Sequence, residues 1–369
     1  MISAGAAPPE AVIVSRHPPG FIGGVERSCA LLASVLRERG LRVGTIWPER
    51  DPGRWIYRPG LGSLWLSRQV ATDHRVAVAD LVVTNGIFGW GFPSATPRIH
   101  VFHGTLAEMA RADAARLAPA ERQADGLPRR ELLRRRLGGG AAETLAARHA
   151  TVVCVSESTA AEVWRHYRVR ADAVIPNGID VGVFTPRPRA EARARLGLPA
   201  DERLALFAGR LNASKGARLM LPACQRAGYR LVVAGPRGAS GALHLGALPT
   251  DELAVAYAAA DCVLLPSVYE ACSYVLLEAL AAGVPVLTTR VGSVASLLRA
   301  VPEYEVLCVE HSEADLAAKL GHLRRTDIAA VVGRARAWVT EHHSLEHYAV
   351  RWNGLLDTIE APRRVAASA

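Results

Sequence analysis

The stretch that decides the fold runs from Arg203 to Gly235 and reads RLALFAGRLNASKGARLMLPACQRAGYRLVVAG. Its two apolar runs, LALFA and LVVA, have the length of buried strands, and the residues between them have the apolar spacing of a helix. This order is typical of a parallel strand–helix–strand unit. The loop at 209–216 should therefore open at the carboxyl end of a parallel sheet, where α/β folds bind their ligands.

The alternation of strand and helix patterns continues in both directions along the chain. Further strands are predicted at AVIVS, LRVGTIW, ADLVVTN, RIHVFHG, ATVVCVS, AVIPNGI, DCVLLP and PVLTT. A chain of 369 residues suits two α/β domains of comparable size. We therefore predict two Rossmann-like domains, residues 1–185 and 186–345, joined at the proline-rich FTPRPR, and a C-terminal segment, 346–369, with one helix and a frayed tail.

The composition indicates a globular protein, because hydrophobic residues make up 50% of the chain, charged residues 21% and aromatic residues 6%. The chain starts without the pattern of a signal peptide and has no uncharged apolar run of about 18 residues, so we expect a cytoplasmic protein. Its six cysteines form no CxxC pair and are expected to be reduced core residues.

Two cations distinguish the loop at 209–216. The net charge of the chain is +9, and only two of its 44 basic residues are lysines, Lys215 and Lys319. Such an arginine-rich composition fits a polyanionic partner or a general compositional bias. Arg210 can form a fork of two hydrogen bonds to oxygen, and Lys215 supplies a compact charge beside the backbone of Gly216. The loop is predicted to bind a diphosphate; the alternative is a solvated turn with surface charges.

Two carboxylates, Glu270 and Glu278, lie on either side of a predicted strand-to-helix junction, PSVYEACSYVLLE. If the helix begins near Ser273, the backbone N–H groups of residues 272–275 have no helical partner and form an anion site at the positive end of the helix dipole. Glu270 then precedes the helix and Glu278 lies inside it. This spacing can serve a phosphate and a ribose.

These elements in this order resemble the retaining glycosyltransferases of family 4, which have the GT-B fold. The E-x7-E pattern of Glu270 and Glu278 stands between GRLNASKG and AGVPVLTT, and further agreement lies in GGVER, HG at 103–104, VVCVSE, IPNGID and HLGALPTDEL. The resemblance extends from about residue 12 to 359. It implies two Rossmann-like domains facing across a cleft that closes on the substrates, with the C-terminal helix crossing back to the first domain.

The resemblance also implies roles for individual residues. Arg210 and Lys215 would neutralise the donor diphosphate, and Glu278 would bind the donor ribose. Glu270 would lie beside the transferred sugar, and His103 would contact that sugar or its phosphate from the first domain. The candidate catalytic residues are therefore Arg210, Lys215, Glu270 and His103. The remaining candidate donor-binding positions are Gly23, Gly24, Cys272, Ser273, Tyr274 and Val275, together with Glu278.

The implied reaction moves a glycosyl group from a nucleoside-diphosphate sugar to an acceptor nucleophile with retention at the anomeric carbon. The cations and the helix amides would stabilise the departing diphosphate, which would take the acceptor proton in a front-face attack. Glu270 is accordingly not expected to act as the nucleophile of a retaining glycosidase. The sequence has no Asp-x-Asp triad. We expect no metal and no cofactor, with the nucleotide sugar as co-substrate.

The sequence leaves the donor base and the donor sugar open. Only residues 236–243 separate Gly235 from the HLG segment, where the family usually has a helix that frames the base pocket. The triplets CSY at 272–274 and VGS at 291–293 replace the family's more familiar residues near the sugar.

The acceptor is expected to bind the first domain, particularly the arginine-rich segment 107–140. HGT, YEACSYV and the arginine-rich composition resemble actinobacterial natural-product enzymes. This favours a small polar acceptor, such as an aminocyclitol or amino sugar of antibiotic biosynthesis. The alternative is a lipid-linked, phosphoinositide-type acceptor, with the arginine cluster resting on an anionic membrane surface.

Functions of other classes fit only parts of the sequence. A nucleotide-dependent oxidoreductase would use GFIGGVER with Glu49 or Asp51, but the GxGxxG spacing is missing. An inactive nucleotide-sugar-binding subunit would keep the donor site alone. Nucleic-acid binding is not expected, because the basic residues are not interleaved with aromatic residues. The H-x-x-E-H pattern at 343–347 lacks a third zinc ligand and is interpreted as a surface helix pair.

Overall fold

The computed structural model of the chain describes residues 10–18, 23–48 and 61–367. By their contacts, these residues form two compact units. The first unit contains the described residues up to Arg111, residues 129–177 and the residues from Tyr348 onward. The second unit contains residues 112–128, which we call the inserted segment, and residues 178–347.

The first unit is built on a parallel sheet. Its six strands are β1 (Glu10–Val14), β2 (Arg42–Ile46), β3 (Leu81–Asn85), β4 (Arg98–Phe102), β5 (Thr151–Cys154) and β6 (Ala173–Val174). Their order in the sheet is β2-β1-β3-β4-β5-β6. All residues of β3 and β4 are buried, as expected for a parallel sheet with helices on both faces. The strand order reverses between β1 and β3, which makes the carboxyl ends of these strands a topological switch point.

The second unit contains a parallel sheet of the same kind. Its five strands are β7 (Leu204–Ala208), β8 (Arg230–Ala234), β9 (Leu243–Gly246), β10 (Cys262–Leu265) and β11 (Val286–Thr288). Their order is β11-β10-β7-β8-β9, and β7 and β10 are buried at every residue. The switch point lies between β7 and β10, because the chain turns in opposite directions after these two neighbouring strands. The loops after β7 and β10 therefore border one crevice.

Sixteen α-helices are present in the described residues. They are α1 (Gly24–Glu38), α2 (Leu61–Ala71), α3 (His74–Val78), α4 (Leu106–Arg116), α5 (Pro119–Ala124), α6 (Arg129–Arg134), α7 (Gly140–Ala147), α8 (Glu157–Tyr167), α9 (Arg189–Arg195), α10 (Ala217–Ala227), α11 (Thr250–Ala259), α12 (Tyr274–Ala281), α13 (Val294–Ala300), α14 (Glu313–Leu323), α15 (Ala329–His343) and α16 (Leu345–Ala367). The inserted segment consists of the end of α4, all of α5 and the following turn.

The predicted α/β fold with two Rossmann-like parallel sheets is confirmed. The predicted C-terminal helix is also present, and from Tyr348 onward it belongs to the first unit. There Tyr348 OH donates to Ser28 O at 3.5 Å, and Arg39 pairs with Asp357 at 2.8 Å. The helix continues to Ala367, so the tail that was expected to fray is helical up to that residue.

The contact-based division and the domain ranges predicted from the sequence differ in the place of the inserted segment. The units divide after Asn177 and His347, near the predicted boundaries at 185 and 345. The inserted segment is grouped with the second unit, whereas the sequence placed it inside residues 1–185. The edge strand β9 was not predicted, because its sequence, LHLG, is not the continuous apolar run that marks the buried strands, and none of its residues is buried.

The H-x-x-E-H pattern is not a surface helix pair. His343 ends α15 and is buried, with its ring 4.6 Å from the ring of Trp338. Ser344 separates α15 from α16, and its hydroxyl forms a hydrogen bond of 2.8 Å with His347 Nδ1. The two histidines therefore serve packing and a helix start. Over the described ranges, no group of three or more His, Cys, Asp and Glu side chains is placed to hold a metal ion.

All six cysteines are buried and free, as the sequence predicted. None of the helices in the part of the chain that the structure describes is both long enough and apolar enough to span a bilayer.

Candidate active site

The loop after β7, residues 209–216, has a defined shape. Asn212 Oδ1 accepts a hydrogen bond of 2.9 Å from the backbone N of Lys215 and so caps a single 3₁₀ turn. Gly216 ends this turn with φ +74°, and a Cβ at this position would lie 2.7 Å from Pro266 O. Only glycine allows this left-handed conformation and this close approach. The loop therefore fixes the backbone that carries Lys215.

Lys215 contacts the loop that follows β10. Its Nζ lies 2.6 Å from Glu270 Oε1, and Ser267 Oγ donates to the same carboxylate oxygen at 2.8 Å. The side chain of Lys215 is 35% exposed and that of Glu270 is 13% exposed. The structure thus brings together two of the predicted catalytic residues, and Ser267 joins them. Arg210, at the start of the β7 loop, is exposed, and no hydrogen bond or ion pair of its side chain occurs among the described contacts.

Helix α12 begins where the sequence predicted. Ser273 is its N-cap residue, and the Ser273 Oγ accepts from Leu276 N at 3.4 Å. The predicted donor-binding residues at this helix start differ in exposure, because Cys272 and Ser273 are buried whereas Tyr274 and Val275 are half-buried. The first N–H groups of a helix have no partner within the helix. The positive end of α12 therefore follows Glu270 directly along the chain.

Glu278 lies on α12 with only 1% of its surface exposed. Its Oε2 accepts a hydrogen bond of 2.9 Å from the hydroxyl of Tyr257, which lies on α11 and is itself fully buried. The sequence analysis missed Tyr257, a single large polar residue in the alanine-rich helix TDELAVAYAA. This tyrosine fixes the orientation of the carboxylate that was predicted to bind the donor ribose.

The turn at 291–293 packs on the Glu270 loop. Gly292 has φ +56°, and a Cβ there would lie 2.4 Å from Ala271 O and 2.6 Å from Glu270 O. The hydroxyl of Ser293 is buried and has no hydrogen-bond partner among the described atoms. A buried hydroxyl in this state is a candidate for contact with a ligand or a water. The sequence marked this triplet only as a departure from the family pattern.

The first unit places His103 just after β4, next to the switch point between β1 and β3. Its Nε2 lies 2.9 Å from Asn85 Oδ1, at the end of β3. Asn85 Nδ2 donates to Val14 O, at the end of β1, at 2.9 Å. Because this donation fixes the amide orientation, Asn85 Oδ1 faces the imidazole as an acceptor. His103 Nε2 therefore carries the proton, and Nδ1 is the acceptor nitrogen of the neutral ring.

Burial lowers the pKa of His103 to about 4. Desolvation disfavours the imidazolium, so the ring is neutral at physiological pH. Asn85 was not predicted from the sequence, although it stands at the end of a buried strand, where α/β folds place functional residues.

The glycines predicted to approach the donor lie at the start of α1. Gly23 is the N-cap residue of this helix and Gly24 is its first residue. Residues 19–22 of the same loop, and Glu49 and Asp51 of the oxidoreductase hypothesis, lie outside the described residues. Gly23, Gly24 and His103 thus all belong to the first unit, and the other predicted site residues belong to the second.

Two protein-family models match this chain, one over each half. The model described as "Glycosyltransferase Family 4" matches residues 22–183. The model described as "Glycosyl transferases group 1" matches residues 188–326. The chain belongs to glycosyltransferase family 4. It is therefore a glycosyltransferase, and the oxidoreductase hypothesis is not supported.

Curated relatives agree with this family assignment. The D-inositol 3-phosphate glycosyltransferase of Acidothermus cellulolyticus is 29% identical over 380 residues, which cover 92% of this chain and 73% of the relative. The protein of the same name from Mycobacteroides abscessus is 36% identical over 174 residues, which cover 42% of this chain and 39% of the relative. The higher identity is thus confined to less than half of either chain.

Solved structures show that the family-4 chain has the GT-B fold. It superimposes on sucrose-phosphate synthase from Thermosynechococcus elongatus with a TM-score of 0.77 and 20% identity, covering 96% of this chain and 100% of the other. It superimposes on Anabaena HepE in complex with UDP with a TM-score of 0.64 and 17% identity, covering 95% and 100% of the chains.

Proposed function

We propose that this glycosyltransferase moves a glycosyl group from a nucleoside-diphosphate sugar to a small polar acceptor, with retention and without a metal ion. The observation that supports this best is the pairing of Lys215 with Glu270 at 2.6 Å. The two residues come from loops that follow neighbouring strands at the switch point of the second sheet. Crevices of this kind hold the nucleotide ligands of α/β folds.

In this crevice, the diphosphate leaving group would replace Glu270 as the partner of the Lys215 ammonium. Lys215 is balanced by the Glu270 carboxylate, and Arg210 is exposed on the same loop. When the glycosidic bond to the phosphate breaks, negative charge develops on the departing oxygen. Two cations and the N-terminal amides of α12 would stabilise that charge. Stabilisation of the leaving group is therefore the main catalytic contribution that we propose for the second unit.

Retention would follow a front-face path, in which the departing phosphate oxygen takes the acceptor proton as the new bond forms. Ser267 and Lys215 both hold the Glu270 carboxylate through Oε1, which fixes its orientation and places a cation against it. A role beside the sugar fits this environment better than a role as the nucleophile. In the first unit, the acceptor nitrogen Nδ1 of His103 suits a hydrogen bond from a sugar hydroxyl.

The acceptor is proposed to be a small polar cyclitol or amino sugar. Two relatives bear the name D-inositol 3-phosphate glycosyltransferase, which points to a soluble cyclitol phosphate as the acceptor class in those proteins. An aminocyclitol of antibiotic biosynthesis is a more specific version of this proposal. We also propose a cytoplasmic location, which the six free cysteines support, because free thiols are typical of proteins in a reducing compartment.

Alanine variants of Lys215 and Arg210, with Lys319→Ala as control, test whether the loop binds the donor. Each charged hydrogen bond contributes about 1.5–3 kcal/mol, so Lys215→Ala and Arg210→Ala should each lose about 10- to 150-fold in kcat/KM for the donor. Lys319→Ala is the matched control, because Lys319 Nζ donates to the backbone Val306 O at 3.0 Å and lies outside the proposed site. Wild-type turnover of both loop variants would refute the assignment.

Five further measurements test the remaining parts of the proposal. Activity should be unchanged by EDTA, and anomeric NMR of the product should show the donor configuration. Thermal-shift screening with UDP, GDP, ADP and dTDP sugars identifies the base. An acceptor panel of inositol phosphates and aminocyclitols, run beside sedimentation with phosphoinositide liposomes at low salt, separates the two acceptor hypotheses. Liposome binding with no turnover of soluble acceptors would favour the lipid-linked acceptor.

A further inference from the structure

The inserted segment, residues 112–128, forms direct contacts with the loop at 209–216. Asp125 Oδ2 accepts a hydrogen bond of 2.8 Å from the backbone N of Ala213. Asp113 Oδ1 accepts one of 2.8 Å from Ser214 Oγ. Asp113 is buried and Asp125 is half-buried. Two carboxylates of the inserted segment thus bond to the two residues that precede Lys215.

The same segment also contacts the loop after β10. The Arg116 guanidinium donates to Val268 O at 3.2 Å. Leu117, Ala213 and Val268 form one buried apolar cluster. The backbone N of Val268 donates to Ser214 O at 2.9 Å, which joins the two loops directly. The inserted segment therefore rests on both loops that carry the proposed donor-binding residues.

The inserted segment is held in shape by its own hydrogen bonds. The Arg122 guanidinium donates to Ala114 O at 2.9 Å and to Leu117 O at 3.0 Å. Glu121 Oε2 accepts from Ala118 N at 2.9 Å at the start of α5. These bonds lie within the segment. The carboxylates of Asp113 and Asp125, in contrast, bond to residues that lie 101 and 88 positions away along the chain.

The loop at 209–216 needs outside support, because its only helical element is one 3₁₀ turn of three residues, Ala213–Lys215. Short 3₁₀ turns have poor hydrogen-bond geometry, and the first N–H of any helical turn lacks a partner within that turn. Asp125 provides that partner for Ala213. Asp113 fixes the side chain of the next residue. The backbone that leads into Lys215 is therefore held in place by bonds to the two residues before it.

We propose that Asp113 and Asp125 are positioning residues for the donor diphosphate, acting through the backbone of the loop at 209–216. They do so by accepting hydrogen bonds, and their negative charge serves no purpose in binding an anion. The proposal rests on the proposed function of Lys215 and Arg210. It assigns part of the inserted segment to donor binding, although the sequence alone assigned it to the acceptor.

The charge and the hydrogen bond can be separated with paired variants. Asn keeps an acceptor oxygen at nearly the same position and removes the charge. We expect Asp113→Ala and Asp125→Ala to weaken binding of the nucleoside diphosphate and to raise the donor KM by roughly 5- to 100-fold each. Asp113→Asn and Asp125→Asn should stay within about threefold of wild type. The acceptor KM should not change in any of the four variants.

The control for general loosening of the segment is Glu121→Ala. This variant removes a carboxylate and a helix cap from the same segment without touching the loop. Titration calorimetry with the nucleoside diphosphate of the donor that thermal shift selects gives Kd, and steady-state kinetics gives the two KM values. Ser214→Ala combined with Asp113→Ala should cost no more than Asp113→Ala alone, because that variant has already removed the hydrogen bond of the Ser214 hydroxyl.

The outcomes distinguish this inference from the proposed function. Weakened diphosphate binding in the alanine variants, with near wild-type binding in the asparagine variants and in Glu121→Ala, supports the inference. Unchanged binding in Asp113→Ala and Asp125→Ala overturns it, as does an equal loss in Glu121→Ala or in the asparagine variants. Failure of the proposed function gives a different result, because Lys215→Ala would then leave diphosphate binding unchanged.

Discussion

Replacement of Asn85 by aspartate tests the contribution of the first unit to the reaction. In the wild type, Asn85 Oδ1 accepts from His103 Nε2 at 2.9 Å, and Asn85 Nδ2 donates to Val14 O at 2.9 Å. The imidazole is neutral, because burial lowers its pKa to about 4. Its Nδ1 can therefore accept a hydrogen bond throughout the physiological pH range, and we propose that the donor sugar supplies it.

Aspartate at position 85 would place a carboxylate against His103 Nε2. An opposite charge within hydrogen-bond distance favours the imidazolium and shifts a pKa by about 1–3 units. The pKa of His103 should therefore rise from about 4 to roughly 5–7. A protonated imidazole has no lone pair at Nδ1. The value of kcat/KM for the donor should then fall as the pH decreases through the raised pKa.

The assay is the dependence of kcat/KM on pH between about 5 and 9, with the wild type and Asn85→Ala measured in parallel. Both variants lose the hydrogen bond to Val14 O, so that loss cancels in the comparison. The alanine variant leaves a buried N–H without an acceptor, at a cost of about 1–3 kcal/mol, and adds no charge. Its activity should be lower at all pH values, with the acid limb unmoved.

An acid limb in Asn85→Asp that coincides with the wild-type limb would refute this explanation, provided that the variant melts as a folded protein. So would full activity of Asn85→Ala. In either case, the hydrogen bond would have no influence on how His103 acts.

Three further perturbations have expected outcomes. Burial raises the pKa of Glu143 to about 7 from an ordinary 4.5, so ionisation of this carboxyl lowers the free energy of unfolding; the penalty is zero below pH 4.5 and grows as the pH rises to 7. In denaturant titrations, Glu143→Gln should therefore be more stable than wild type by about 1–3 kcal/mol at pH 8 and equally stable at pH 4. Gly292→Ala should destabilise the protein by about 2–4 kcal/mol, because the backbone there has a left-handed φ and a backbone oxygen would lie 2.4 Å from the new Cβ. The control is Gly333→Ala, whose Cβ would meet nothing within 4 Å, and this variant should melt at or above the wild-type temperature. Tyr257→Phe removes a hydrogen bond to Glu278 and should raise the donor KM roughly 3- to 30-fold in steady-state kinetics, with the acceptor KM unchanged.

The sequence predicted the two sheets, the loop after β7 and the start of α12 well, because these features depend on local patterns. Strand β7 and helix α10 show the expected periods, and the glycine at 216 marks a turn that no other residue can form. The start of α12 at Ser273 follows from a capping residue before an apolar run. Each of these features is encoded within about ten neighbouring residues.

The sequence could not show which distant residues support the site. Asp113 and Asp125 are two of five acidic residues in an arginine-rich stretch, and nothing in their neighbourhood distinguishes them from Glu121. Their bonds to residues 213 and 214 exist only because the chain folds back over a long separation in sequence. The same holds for Asn85, whose amide orientation depends on the end of another strand.

The discontinuous second unit has a consequence for engineering. A chimera that exchanges the N-terminal half between related enzymes by a single crossover in the predicted linker would be joined near residue 185. Such a chimera would place residues 112–128 of the other enzyme against the native loop at 209–216. The inserted segment precedes the crossover in sequence, although it belongs to the second unit. A transplant that respects the contacts needs separate junctions at both ends of the inserted segment, after Asn177 and before Tyr348. Recombination libraries built on the linker alone should therefore lose donor turnover when the foreign half lacks a hydrogen-bond acceptor at position 113 or 125.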